Sequence, residues 1–294
     1  MNDFWIILTA CLVACSCSIL GCFLVLRRMA MIGDAISHSV LPGIVIAFLI
    51  SGSRDSLFMM LGASVIGLLT VFLIQWFHQS GVQSDASIGV VFTALFALGV
   101  LLVSMYTRQV DLDLDCVLYG EIIAVPWETL QLGGIDIGPK AVWGLGLVLT
   151  LSVLCIGLFY KQFKICAFDP AMAAAVGIPV ALFHYLLMGL VSVTTVASFE
   201  SVGAILVVGM LVVPAAAAYL LTEVLSRMIF YSMGIGILSA VSGYYLSVSL
   251  DASIAGCMIT MAGALFVLAL LFSPSHGVLV RKWRQKRSTA AGTY

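Results

Sequence analysis

Trp5-Ile-Ile-Leu-Thr-Ala-Cys-Leu-Val-Ala-Cys-Ser-Cys-Ser-Ile-Leu-Gly-Cys-Phe-Leu-Val-Leu26 carries no charged side chain and stops at Arg27-Arg28. At 1.5 Å per residue, about 20 apolar residues cross the roughly 30 Å hydrocarbon layer of a bilayer. The stretch therefore reads as a membrane-spanning helix. Leu8-Thr-Ala-Cys11 and Leu12-Val-Ala-Cys15 each resemble a lipoprotein cleavage box. The residues before them hold Asp3 and no Lys or Arg, so the positive start of a signal peptide is missing. The expectation is a retained first span.

Eight further runs follow on the same scale: Ile32–Ile50, Leu57–Phe77, Ile88–Met105, Val142–Tyr160, Val180–Ser198, Val202–Leu221, Met228–Val248 and Ala252–Phe272. The chain of 294 residues is 62% hydrophobic and only 9% charged. A soluble domain carries roughly 25% charged residues, so this surface has to be solvated by lipid. Backbone groups in lipid must bond within their own segment, which selects helices. The expected fold is all-α: a polytopic transmembrane helix bundle of eight or nine spans over residues 1–280, with a basic tail at 281–294. The second run is the doubtful one, because it contains Asp34 and His38. No strand alternation is evident.

Lys and Arg set the orientation. With the N-terminus outside, Arg27, Arg28, Lys161, Lys164, Arg227, Arg281, Lys282, Arg284, Lys286 and Arg287 fall inside, and Arg54, Arg108 and Lys140 fall outside. The C-terminus is then cytoplasmic. The longest extramembrane segment, from Tyr106 to Lys140, is external and carries Asp111, Asp113, Asp115, Glu121, Glu128 and Asp136. Most of the eight cysteines lie in apolar runs and none forms a CxxC pair, so they read as packing residues. No basic block with interleaved aromatics points to nucleic acid. None of the five lysines follows a glycine, so there is no P-loop, and no His-Glu-x-x-His zinc motif occurs. Any ATP used by this protein is bound by a separate subunit.

An ionisable residue inside a span is a functional hypothesis by default. Asp34 and His38 stand four residues apart, hence on one helical face about 5–6 Å apart. Three readings are open: ligation of one divalent cation, a proton relay, and a structural pair. As metal ligands, oxygen and nitrogen suit Mn²⁺, Fe²⁺ or Zn²⁺ better than Cu⁺. Ser37 and Ser39 are near. Pro42-Gly43 should loosen the helix, as breaks beside transporter substrate sites do. Glu200 stands at the turn between the sixth and seventh runs, as an entrance residue or a solvated one. His78, His184 and His276 lie at span ends and read as interfacial. Small residues at Gly144 and Gly146, Gly203 to Gly209, and Gly234 and Gly236 suggest close helix packing.

Arg27-Arg-Met-Ala-Met-Ile-Gly-Asp-Ala-Ile-Ser-His-Ser-Val-Leu-Pro-Gly43 resembles the signature of the permease subunits of bacterial ABC importers for zinc, manganese and iron. Phe168-Asp-Pro-Ala-Met-Ala-Ala-Ala-Val-Gly-Ile-Pro179 resembles their cytoplasmic segment. Val202-Gly-Ala-Ile-Leu-Val-Val-Gly-Met-Leu-Val-Val-Pro-Ala215 resembles the span before the ATPase-contacting loop. The resemblance runs in order from about Trp5 to Phe272. It implies a type II importer-like bundle in a bacterial inner membrane, working with cytoplasmic ABC ATPases, an extracytoplasmic metal-binding protein and a second permease copy or paralogue. No cofactor is bound permanently; the cargo is Mn, Zn or Fe. Asp34 and His38 would line the metal path. Thr222, Glu223 and Arg227, after Pro214, would couple to the ATPase, with Asp169 a second contact. Glu200 departs from the family pattern and gains no role from it. The competing classes are a proton-coupled secondary transporter and a non-transporting scaffold.

Overall fold

The computed structural model describes residues 2–51, 56–106, 122–127, 129–132, 135–273 and 277. Its helices are α1 (Asn2–Leu26), α2 (Met31–Ser39), α3 (Leu41–Ser51), α4 (Ser56–Gln79), α5 (Ser84–Tyr106), α6 (Lys140–Leu158), α7 (Tyr160–Phe168), α8 (Pro170–Ala175), α9 (Val180–Val202), α10 (Ala204–Leu221), α11 (Leu225–Leu250) and α12 (Ile254–Phe272). Among the described residues, nine helices are long and apolar enough to cross a membrane, α2 and α3 together forming the second. The count settles on the higher of the two expected values.

That second span is broken just before Pro42. Proline has no N–H to donate and fits most easily in the first turn of a helix. So α2 stops at Ser39, and α3 restarts at Leu41 with Pro42 in its first turn. The Val40 carbonyl accepts from both Gly43 N, at 2.9 Å, and Ile44 N, at 3.2 Å, so the break leaves little backbone unbonded.

α1 is the most buried of the spans and packs on α6, α9, α10 and α11. Its small residues make this possible: Ala10, Ala14 and Cys17 are buried against the bundle. At Gly21 a Cβ would collide with the Leu211 carbonyl of α10. The other end of the scale is α5, the least buried span. Leu68, Phe72, Leu101, Leu147, Leu154 and Leu268 point outward from α4, α5, α6 and α12, an apolar surface that suits lipid.

Three expectations need correction. The segment between α5 and α6 holds an antiparallel hairpin, β1 (Thr129–Leu132) with β2 (Ile135–Pro139), where no strand was expected. Its strands are too short for alternation to register, although Gly133-Gly134 between them is a two-residue hairpin signal. The hairpin leans on α1: a Cβ on Gly138 would stand 2.9 Å from the Trp5 ring. Second, the glycines that admit close neighbours are mostly not those singled out. Gly144, Gly146 and Gly234 face open space, whereas Gly43 and Gly62 bring the backbones of α3 and α4 together. Third, Glu200 is not in a turn. Helix α9 continues through Val202, and the break falls at Gly203, whose φ of 80° only glycine adopts readily. The side chain of Glu200 lies outside the described residues, as do Cys116, Asp111, Asp113, Asp115, Glu121, Glu128, His276 and the basic tail. Seven described cysteines are free thiols.

Candidate functional site

Helix α2 has two unlike faces. Ile32, Gly33, Ile36 and Ser37 are buried. A Cβ at Gly33 would collide with the Leu211 side chain, and Ile36 reaches toward Gly67 on α4. The remaining stripe, Met31, Asp34 and His38, is at least partly open. Hydroxyl groups fix which face is which. Ser39 and Thr70 are both fully buried, and their oxygens stand 2.7 Å apart. Thr70 also reaches the Ile66 carbonyl at 2.8 Å and Ser39 the Ile36 carbonyl at 3.2 Å, so each hydroxyl is shared between its own helix and the other. This chain pins the end of α2 to α4. Ser37 donates to the Gly33 carbonyl at 2.9 Å. Neither serine therefore turns toward the Asp34–His38 pair.

His38 Nε2 stands 3.5 Å from Asp34 Oδ1, and the two side chains are 32% and 36% exposed. That separation is long for a hydrogen bond. It is, however, suited to two ligands of one ion: with metal–ligand bonds of about 2.1 Å, it subtends roughly 110° at the metal. Among the described residues no group of three or more His, Cys, Asp or Glu side chains gathers around a point. The pair offers two protein ligands and an open side. Two aromatic rings of α5 lie beside His38. Phe92 and Phe96 each lie with ring centroids 6.0 Å from that of His38, Phe92 tilted at 38° and Phe96 edge-on at 80°.

A second feature occupies the end of the bundle where α1 gives way to α2. A cleft of about 150 Å³ is lined by Leu26, Phe168, Tyr219, Thr222, Glu223 and Met228, among others. Thr222 shapes the turn after α10 by accepting from Val224 N at 3.3 Å. Asp169, next to Phe168, caps α8 by accepting from Met172 N at 2.9 Å. The two segments expected to contact an ATPase, some fifty residues apart in sequence, thus meet at one cleft. Glu223 is exposed at the cleft, and Arg227, one turn on, is exposed without lining it.

One contact at this end was not anticipated. Arg27 Nη1 stands 3.3 Å from His184 Nδ1, joining the corner before α2 to α9. Arg27 Nε and Nη2 and His184 Nε2 are buried without a hydrogen-bond partner. Burial pushes the Arg27 guanidinium below its ordinary value, partly opposed by the Cys166 thiol. His184 is therefore a packing partner of Arg27.

The model of the ABC 3 transport family matches residues 3–273. This chain belongs to the ABC 3 transport family. A manganese transport system membrane protein of Bacillus subtilis, MntD, is 57% identical over 282 residues, covering 96% of each chain. A zinc transport system membrane protein of Treponema pallidum, TroD, is 43% identical, covering 94% of this chain and 75% of the relative. Among solved structures, PsaBC from Streptococcus pneumoniae in complex with Fab superposes with a TM-score of 0.79 at 33% identity, covering 95% of this chain and 94% of that one. As a member of the ABC 3 transport family the chain is a membrane permease subunit of an ABC importer and not itself an enzyme, and such a permease works with partner subunits.

In this permease, Asp34 with His38 and Thr222–Glu223 with the Asp169 segment are each brought together. The two groups lie on successive levels: His38 is seven residues into α2 from Met31, about 10 Å along the helix axis. Phe92 and Phe96 had no signal in the sequence beyond their i,i+4 spacing, which a lipid-facing stripe shares.

Proposed function

We propose that this chain is the permease through which a divalent transition-metal ion, manganese foremost and zinc second, enters a bacterial cell across the inner membrane. One observation carries the reading: a carboxylate and an imidazole 3.5 Å apart stand half-open on a span that is otherwise apolar. Their geometry suits one ion, and oxygen with nitrogen suits manganese, zinc or iron. The relatives named above favour manganese and zinc.

Two ligands are too few to replace the hydration shell of such an ion, which takes four or more. The open side of the pair therefore faces a second permease, a copy or a paralogue, whose own ligands complete the coordination. An extracytoplasmic binding protein delivers the ion to the end bearing the β-hairpin. Paired ABC ATPases dock at the cleft of Thr222 and Glu223, where the positive-inside rule supports a cytoplasmic position together with Arg27, Lys161, Lys164 and Arg227. ATP binding and hydrolysis move the bundle between outward- and inward-facing states. The pair binds strongly enough to displace part of the hydration shell and weakly enough to release the ion.

The test is uptake of manganese, zinc and iron in competition by proteoliposomes carrying the full transporter. ATP-dependent manganese uptake, lost in D34A and H38A, is the expected result. Uptake undiminished in both variants removes the site. Uptake that collapses with an uncoupler and needs no ATPase transfers the protein to the proton-coupled class.

A further inference from the structure

Helix α5 presents one face to the broken span. Ile88, Phe92, Phe96 and Gly99 recur along it at helical spacing, and Ile88 and Gly99 are buried. At Gly99 the helices all but touch: a Cβ there would stand 2.8 Å from Pro42 Cδ. This contact fixes α5 lengthwise against the break. One and two turns before it, Phe96 and Phe92 come to rest beside the His38 imidazole, each with centroids 6.0 Å away. Phe96 remains 36% exposed beside the partly open His38.

We propose that Phe92 and Phe96 are positioning and specificity-determining residues: they hold the His38 ring in its ligating orientation and form a ligand-free wall that denies the ion part of its water shell. The proposal rests on Asp34 and His38 being the metal ligands. Its first half follows from geometry. An imidazole between a tilted ring and an edge-on ring sits within the range of favourable aromatic contacts, so rotation about χ2 loses both. The second half follows from the chemistry of the wall. Phenyl rings supply no oxygen donor. Ca²⁺ requires six to eight oxygen ligands, and Mg²⁺ keeps several of its waters. Zinc accepts an imidazole in exchange for water, and manganese takes a nitrogen ligand beside a carboxylate more readily than calcium or magnesium does. A site bounded by rings on α5 thus penalises the two abundant hard cations more than the transition metals.

The experiment is manganese uptake by the reconstituted full transporter, with calcium and magnesium as competitors, for F92L, F96L, F96Y, D34A and H38A. Leucine keeps the apolar bulk and removes the ring; tyrosine keeps the ring. F92L and F96L are expected to raise the apparent KM for manganese by roughly three- to tenfold. They keep a wall without oxygen donors and should leave the manganese-to-calcium selectivity near that of the wild type, whereas F96Y, which adds an oxygen to that wall, should keep the KM for manganese and lower the selectivity. A purely structural role would lower the maximal rate and leave the selectivity ratio unchanged. Because that ratio is read on folded transporter only, reduced assembly does not disguise it; if F92L fails to assemble, F96L, at the more open ring, carries the test. Wild-type KM in the leucine variants together with wild-type selectivity in F96Y, with D34A and H38A inactive, overturns this proposal alone. Full uptake in D34A and H38A overturns the site itself.

Discussion

Alanine at position 62 should weaken the bundle although it adds a single methyl group. A Cβ on Gly62 would stand 2.6 Å from both the Gly43 carbonyl oxygen and Ala47 Cβ, about 0.8 Å short of the ordinary contact of 3.4 Å. Neither obstacle can rotate away, because one is backbone and the other is fixed to it. Helices α3 and α4 must part, and overpacking of this kind costs about 1–3 kcal/mol. Alanine recovers about 0.8–1.0 kcal/mol of helix propensity over glycine, so the net loss is roughly 0–2 kcal/mol. Gly144 and Gly263 have nothing within 4 Å of an added Cβ, so G144A and G263A keep the propensity gain without the clash. The gap between the two kinds of site is then about 1–3 kcal/mol, or on the order of 2–12 °C in Tm at 2–4 °C per kcal/mol. Buried Cys17 and Cys22 make a thiol-reactive fluorophore a direct probe of unfolding in detergent. The expected order is G144A and G263A at or above the wild type, G62A below it. A G62A protein that melts with or above G144A would refute the described α3–α4 contact and with it the argument that fixes α3 beside Pro42.

Three further outcomes follow from the contacts around the site. Removing His184 leaves the Arg27 guanidinium with all its buried nitrogens unpaired at this contact, so H184A should lose about 1.5–3 kcal/mol in thermal unfolding, and H184Q, which restores an acceptor, should recover most of it; equal loss in both would dismiss the bond. In a double-mutant cycle, S39A and T70V should show a coupling near 0.6 and below about 1.7 kcal/mol, the range of buried hydroxyl bonds between membrane helices; zero coupling would mean that α2 is not held there. E223K should weaken ATPase association, chiefly through the association rate, and reduce permease-dependent ATP hydrolysis without changing metal affinity; a changed metal affinity at normal association would argue against separate coupling and binding levels.

Much of this was legible in the residues because lipid makes some mistakes expensive. A charged group in an apolar run costs several kcal/mol, so Asp34 and His38 stood out, and the period of a helix put them on one face. The break at Pro42 was legible for a similar reason: the ring cannot donate. What stayed hidden depends on pairings across the chain. Phe92 and Phe96 look in sequence like any lipid-facing pair, and only the Gly99–Pro42 contact turns them toward His38. Gly43 and Gly62 are informative as partners and mute singly, which is why Gly144 and Gly146 drew attention instead. Arg27 and His184 are bonded across a separation of 157 residues. Glu200 was misplaced because the helix boundary is set by the backbone of Gly203 and not by the carboxylate.

The central claim is that His38, with Asp34, ligates the transported ion. Pulsed electron paramagnetic resonance of Mn²⁺ bound to the assembled transporter, with isotopically labelled histidine in the permease, reads that bond directly. A nitrogen coupling to manganese that vanishes in H38Q and survives in H184Q is the predicted result. A spectrum without histidine nitrogen, or one that H38Q leaves unchanged, would contradict it.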